Sequence, residues 1–224
     1  MYQLDFDKPL SGKVMTISGN VGNGKNTLAV AILRVLGRKC IHNKRLEYEC
    51  EYCTKYKISQ KDRKIRAFAN FMIKIPEMDC YYMETPDDFL TIQPSKQHAV
   101  AIIDEPNAWG FDSRESVGKK GAYNILIARK VQQTRHYNMD IIFLTQLWSM
   151  IDKRGKLLSS DTILAVSPEA REFQYGLFKY GDIIPISMKR SYARQNVFPY
   201  FDTSQIIGNN EDDVVLDEEV AVGN

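Results

Sequence analysis

The residues best suited to chemistry are Gly19-Asn20-Val21-Gly22-Asn23-Gly24-Lys25-Asn26-Thr27. Glycines let a backbone curl until successive N–H groups point at one anion, and a lysine closing the curl reaches the β and γ phosphates of a nucleotide. The Gly-x-x-x-x-Gly-Lys spacing of a phosphate-binding loop is met between Gly19 and Lys25. The apolar run Val14-Met15-Thr16-Ile17 precedes it and the helix-like stretch Leu28 to Leu36 follows. Strand, turn and helix thus come in the order that builds an anion site on a helix N-terminus. A glycine-rich turn that binds nothing is the plain alternative, and this context argues against it. Position 27 is Thr, so the Gly-x-Gly-x-x-Gly of a dinucleotide fold is absent. Asn26 stands where a magnesium-binding Ser or Thr usually follows the lysine. An Asn carbonyl oxygen suits magnesium, whereas Thr27 could serve only if the turn were shifted.

Two further stretches end in polar groups. His98-Ala99-Val100-Ala101-Ile102-Ile103-Asp104-Glu105 describes a strand buried on both faces that delivers two acids to a crevice at its carboxyl end. Beside a phosphate loop, Asp104 would hold the magnesium shell and Glu105 would orient and deprotonate an attacking water. The plain alternative is an acidic surface turn. Met139-Asp140-Ile141-Ile142-Phe143-Leu144-Thr145-Gln146 repeats the buried-strand pattern and ends in an amide that can hydrogen-bond both the γ-phosphate and the water.

The elements that must position these groups follow from pattern. At 224 residues and 44% apolar content, the chain is long enough for one large domain, read as residues 1–210. No stretch approaches a membrane span and no signal peptide is evident, so an intracellular location is expected. The helix after the phosphate loop is expected to end at Gly37 in a left-handed cap. Residues 38–66 are basic, rich in Tyr and Cys and without a period, and read as an insertion. Ala67 to Ile75 alternates as a strand closed by Pro76. Asp79 to Gln93 reads as a short strand and turn in which Thr85-Pro86-Asp87-Asp88 starts a helix. Gly118-Lys119-Lys120-Gly121 reads as a loop, either a contact for nucleic-acid backbone phosphates or a solvated turn. Helices are expected over Tyr123 to His136 and Leu147 to Leu158, a strand over Thr162 to Val166, and a hairpin from Glu172 to Arg190 turning at Tyr180-Gly181-Asp182. The aromatic stretch Tyr192 to Ile207 is expected to cover one edge of the sheet.

Formal net charge is +2, but the last fourteen residues, Glu211 to Asn224, hold six acids and no base. Without them 30 bases face 22 acids, a net charge of +8. A basic body with an acidic, disordered tail is compatible with a nucleic-acid partner, though also with a merely solvated surface. Cys50-Glu51-Tyr52-Cys53 has the gap of a zinc knuckle, and Cys40 with His42, or Cys40 with Cys80, would complete four ligands. Free buried cysteines, or a disulfide in a hyperthermophile, are the alternatives.

The order of these motifs resembles the FtsK–HerA superfamily of DNA-translocating ATPases. The likeness is greatest to the small genome-packaging ATPases of archaeal turreted icosahedral viruses. Arg135-His136-Tyr137-Asn138-Met139-Asp140, Asp112-Ser113-Arg114, Ile151-Asp152-Lys153-Arg154 and Phe201-Asp202-Thr203 also look like parts of that wider group, which includes the Zot-type phage assembly ATPases. The likeness runs from Val14 to about Ile207 and omits the Cys40–Cys53 insertion. It implies an α/β fold: a RecA-like P-loop NTPase core of ASCE type, strand order 5-1-4-3-2, with helices on both faces. It further implies ATP and magnesium as ligands, a location in the host cytoplasm or a virion, and a homo-oligomeric ring, expected to be a hexamer, that moves double-stranded DNA toward a capsid vertex. An arginine from the neighbouring subunit would complete each site, with Arg114, Arg135 and Arg154 as candidates. Zot-type virion extrusion, and a nucleic-acid-binding scaffold with an inactive P-loop, are the competing expectations.

Overall fold

The computed structural model describes residues 12–37, 55, 57, 64–95, 97–112, 118–166, 171–179 and 181–202. Val14–Ser18 (β1), buried at all five positions, leads into the glycine-rich loop, and Lys25–Gly37 forms α1. Ile65–Ala69 (β2), Met78–Tyr82 (β3), the short helix Pro86–Thr91 (α2) and Ala99–Asp104 (β4) follow. Next come Gly118–Gln132 (α3), Met139–Thr145 (β5), a 3-10 turn at Trp148–Met150, Lys153–Leu158 (α4) and Ser159–Ala165 (β6). Glu172–Lys179 (β7) and Asp182–Lys189 (β8) make a hairpin, and Arg190–Asn196 (α5) and a 3-10 turn at Phe198–Tyr200 complete the described chain.

One eight-stranded sheet runs β3-β2-β4-β5-β1-β6-β7-β8. The pairs from β3 to β6 are parallel, and β7 and β8 add an antiparallel extension. Read from β6, the order β6-β1-β5-β4-β2 is the 5-1-4-3-2 core expected from the resemblance, with β5 between the phosphate-loop strand and the Asp104 strand. Because side chains alternate along a strand, each central strand feeds two cores. Ile17, Ile142, Leu144, Val100 and Ile102 pack with α1 on one face. Val14, Ile141, Phe143, Ala101 and Ile103 pack with Ile127 and Val131 of α3 on the other. Burial on both faces explains why β4 and β5 read as unbroken apolar runs.

Several boundaries differ from expectation, each for a local reason. The strand expected over Ala67 to Ile75 stops at Ala69. Residues 71–75 still alternate buried and exposed, but they pair elsewhere: Ile73 bridges Phe201 and the Lys74 N–H donates to the Tyr200 carbonyl at 2.7 Å. Gly37 ends α1 without a left-handed φ. Its value is space, since an added Cβ would stand 3.3 Å from Glu77 and Met78. Gly118–Gly121 is the first turn of α3, not a loop. That helix ends at Gln132, short of His136, and the chain turns through Asn138 at φ 49°. The helix expected over Leu147 to Leu158 is broken, because Ile151 pairs with Asp112 and Asp152 accepts the Arg154 N–H at 2.9 Å to start α4 afresh. β6 begins at Ser159, drawn out by pairing with β1. The hairpin forms as expected, with Gly181 at φ 90°. The aromatic segment, as far as Asp202 where the described residues end, lies on the α1 face rather than along a sheet edge. Ala193, Val197 and Phe201 join that core, and the Arg34 guanidinium sits 3.8 Å from the centre of the Tyr200 ring.

Cys40, His42, Cys50, Cys53, Arg114 and the acidic 211–224 segment lie outside the described residues. Cys80 is in β3, where its Sγ accepts the Ile75 N–H at 3.4 Å. Among the described residues no three His, Cys, Asp or Glu side chains gather as a metal site, and no helix is long and apolar enough to cross a membrane.

Candidate functional site

The carboxyl ends of β1, β4 and β5 meet at one rim of the sheet. The Gly19 N–H donates to the Thr145 carbonyl at 3.1 Å and the Glu105 N–H to the Leu144 carbonyl at 2.9 Å, so the segments leaving all three strands are tied together. The loop itself is braced from β6 and β7. The Asn23 amide donates to the Ala165 carbonyl at 3.0 Å, and the Tyr175 hydroxyl to the Gly24 carbonyl at 3.1 Å. Gly24 is required twice over: its φ is 79°, and an added Cβ would come within 2.6 Å of the Phe173 ring.

Lys25 is 7% exposed and folds back on its own loop, donating to the carbonyls of Gly19 at 2.8 Å and Asn20 at 3.1 Å. Asn26 Nδ2 donates to Asp104 Oδ2 at 2.9 Å. Burial lowers the lysine's affinity for its proton against the pull of Asp104 and Glu105. Burial likewise raises the Asp104 pKa, opposed by the Asn26 bond and the Lys25 charge. Glu105 is raised by burial and by the neighbouring Asp104 charge, opposed by hydrogen bonds from the side chain and backbone of Gln146. Three ionisable groups therefore share a dry corner in which each charged form is penalised, the arrangement that marks ligand sites.

One residue of this corner has no signal in the sequence. Asn70 follows β2, and its amide makes two hydrogen bonds to the backbone of Asp104: Nδ2 donates to the carbonyl at 2.8 Å and Oδ1 accepts the N–H at 2.8 Å. The clamp holds the chain where it leaves β4, immediately before Glu105 adopts a left-handed φ of 49°, a conformation uncommon for a side-chain-bearing residue. A lone Asn after a strand is ordinary in sequence, and only the adjacency of β2 and β4 makes it a clamp.

The loop Gly19 to Thr27, Asp104, Glu105 and Gln146 are thus brought together at one rim, while Arg135 and Arg154, expected to serve a neighbouring subunit, lie apart from it. Arg135 is exposed and packs over Gly12, at the opposite rim where β1 and β5 begin. Arg154 is engaged by Asp152, donating from Nε at 2.7 Å and from its terminal nitrogen at 2.8 Å. That hydrogen bonding holds the Asp152 carboxyl below its ordinary range. Of Lys119 and Lys120 only the helical backbone is described.

The oxygen donors fit magnesium. Asn26 divides between two atoms what a Ser or Thr hydroxyl does with one: its N–H₂ holds Asp104, leaving its carbonyl oxygen with no partner among the described residues. That oxygen and the Asp104 carboxylate are hard ligands of the kind magnesium prefers.

A parallel core with this loop on β1, paired acids on β4 and a polar β5 end is a P-loop NTPase fold. The sequence matches the family described as Zonular occludens toxin (Zot) over residues 13–162, and the chain belongs to that family. No curated protein matches in sequence. The structure is similar to the N-terminal domain of zonular occludens toxin from Neisseria meningitidis, at 16% identity and TM-score 0.53, covering 83% of this chain and 98% of that one. A weaker similarity, at 12% identity and TM-score 0.47, is to the genome packaging NTPase B204 of Sulfolobus turreted icosahedral virus 2 in complex with ATP-gammaS, covering 80% of this chain and 98% of that one.

Proposed function

We propose that the chain is an ATP-hydrolysing motor that moves double-stranded viral DNA into a preformed capsid, working as a homo-oligomeric ring. The observation that carries the hydrolytic part is the convergence of Lys25, Asn26, Asp104, Glu105 and Gln146 on one rim. Loop N–H groups between Asn20 and Thr27 bind the phosphates, and Lys25 exchanges its two loop carbonyls for β and γ oxygens. Magnesium, held by Asp104 and Asn26, would neutralise charge on those oxygens. Glu105 takes the proton of a water that attacks the γ-phosphorus in line. The new P–O bond forms as the β–γ bridge breaks, and ADP leaves with the bridging oxygen. Gln146 orients that water and the Glu105 carboxylate. An arginine from a neighbouring subunit would add charge to the transferring phosphoryl group. The basic body favours DNA as the track, gripped through backbone phosphates with strong dependence on salt.

Family membership favours a second reading, a Zot-type ATPase that assembles or extrudes virions. The deciding experiment is ATP hydrolysis by the purified chain with and without magnesium and double-stranded DNA. Magnesium-dependent hydrolysis stimulated by DNA and suppressed by salt is the expected result. Hydrolysis indifferent to DNA would favour the extrusion reading, and no hydrolysis under any condition would leave a scaffold with an inactive P-loop.

A further inference from the structure

The end of the sheet formed by β6, β7 and β8 is apolar on both faces, and only one of them is packed. Side chains alternate along a strand, so Phe173, Tyr175 and Leu177 of β7 turn toward the α1 core, together with Ile186 and Met188 of β8. Their neighbours turn the other way, in rows fixed by the pairing: Phe178 beside Ile183, then Gly176 beside Pro185, then Gln174 beside Ser187, and last Glu172 beside Lys189. From β6, Leu164 joins the second row and Val166 the third. On this face Leu164, Val166 and Phe178 are 41 to 43% exposed and Ile183 is 61% exposed. Farther along the same side of the sheet, β4 and β5 are packed by α3. Gly176 leaves a gap in the second row, where an added Cβ would meet Ile183 Cγ2 at 3.0 Å, and a hollow of about 1030 Å³ opens over the hairpin.

The same chain carries a surface that matches. α3 buries Asn124, Ile127, Ala128 and Val131 and turns Ala122, Ile125, Leu126, Arg129, Gln132 and Gln133 outward, in the spacing of a single helical stripe. The outward stripe of a surface helix is ordinarily polar, yet Ile125 and Leu126 are 44% and 45% exposed. A helix laid on a sheet is also how this fold covers its own strands. The two surfaces change character in step. From Ala122 to Gln133 the stripe passes from apolar through Arg129 to amides over about 16 Å, at roughly 1.5 Å per residue. From Phe178 to Glu172 the bare face passes from apolar through Gln174 and Ser187 to charge over about 20 Å, at roughly 3.3 Å per residue. With Ile125 and Leu126 seated over the Gly176 gap, Arg129 would lie within reach of the Gln174 amide and the Glu172 carboxylate.

We infer that these surfaces form a contact between copies of the chain, the α3 stripe of one copy seating on the bare hairpin face of the next. The inference rests on the reading of the chain as a homo-oligomeric ring and supplies a contact for it, since two unlike surfaces that match join copies head to tail. Phe173 and Tyr175, which brace Gly24, alternate along β7 with Gln174 and Gly176, so the seated copy bears on the strand that holds the phosphate loop. Sedimentation of the full chain with magnesium and a non-hydrolysable ATP analogue tests the contact. Wild type is expected to sediment as an oligomer. Ile183→Asp and Leu126→Asp, both at exposed positions, are each expected to sediment as monomers that melt like wild type. An equal mixture of the two is expected to give a dimer and nothing larger, because one intact sheet face then meets one intact stripe. Should either aspartate prevent folding, Ile183→Ser and Leu126→Ser take their place, each expected to weaken association about tenfold. Association of either variant alone at wild-type strength, as when a sheet face meets its own copy, overturns the inference and leaves the ring. A mixture of the two aspartate variants that stays monomeric does the same. Wild type that stays monomeric overturns the ring and the inference together.

Discussion

The strands β4 and β5 carry buried charge at both ends, and the two ends are built differently. At the starting rim, His98 Nε2 lies 2.7 Å from Asp140 Oδ2 and its Nδ1 3.1 Å from Asn138 Oδ1, while the Lys13 N–H donates to Asp140 Oδ1 at 2.8 Å. Every polar atom of the imidazole faces an acceptor, which is the geometry of the charged ring. Burial opposes that charge, but the hydrogen bond and charge of Asp140 prevail and the His98 pKa is raised. At the finishing rim, Lys25 is turned onto backbone carbonyls and the adjacent acids Asp104 and Glu105 both have raised pKa values through burial. Buried charge that serves the fold is paired within the fold. Buried charge that serves a ligand is left short of partners until the ligand supplies them.

Glu105→Gln should break the finishing rim alone. Turnover is expected to fall about a thousandfold, with ATP binding and thermal stability kept, as checked by steady-state kinetics beside calorimetry. Unchanged turnover would remove Glu105 as the base.

The starting rim is broken by Asp140→Ala, which strands a buried imidazole and is expected to cost about 3 kcal/mol of stability in urea unfolding. Its pH dependence has a definite sign. Because the folded-state pKa of His98 lies above its ordinary value of 6.5, the stabilisation is complete below pH 6.5 and lost as pH rises through the folded value. Wild type should therefore lose stability relative to Asp140→Ala as the pH rises above 6.5. Parallel pH profiles for the two proteins would refute the pairing.

The smallest effect expected is from Asn70→Ala, which frees the Asp104 backbone without removing a reacting group. A loss of roughly tenfold in kcat with little change in KM for ATP is expected, since misplacement by a fraction of an ångström lowers rate more than affinity. A fall in thermal stability with kcat intact would make Asn70 part of the fold only.

The starting rim was barely legible in advance, although its residues are as distinctive as those of the site. His98 and Asp140 lie 42 positions apart, and Asp140 sits inside a run that reads as apolar strand. The phosphate loop, by contrast, is contiguous, and the acids and the amide each end an apolar run, so their shared rim follows from parallel pairing. Arginines show the limit of such reading. Arg135 and Arg154 are candidates for a neighbouring subunit's site, and within one subunit they lie apart from its own: one at the opposite rim, the other held by Asp152. Arg190, which belongs to no motif, reaches the neighbourhood of Gly24 because the hairpin folds back beside β6.

The sequence by itself determined the phosphate loop, the strands that end in Asp104 and Gln146, and the parallel core. Those properties are written in local spacing and in unbroken apolar runs, which depend on neighbours in the chain. Tertiary structure alone decided that Asn26 meets Asp104, that Asn70 clamps the turn before Glu105, and that Phe173, Tyr175 and Arg190 gather behind Gly24. Each of those contacts joins different elements of the fold, and which residues meet there is set by how strands pair and helices cross, a geometry that no window of sequence contains.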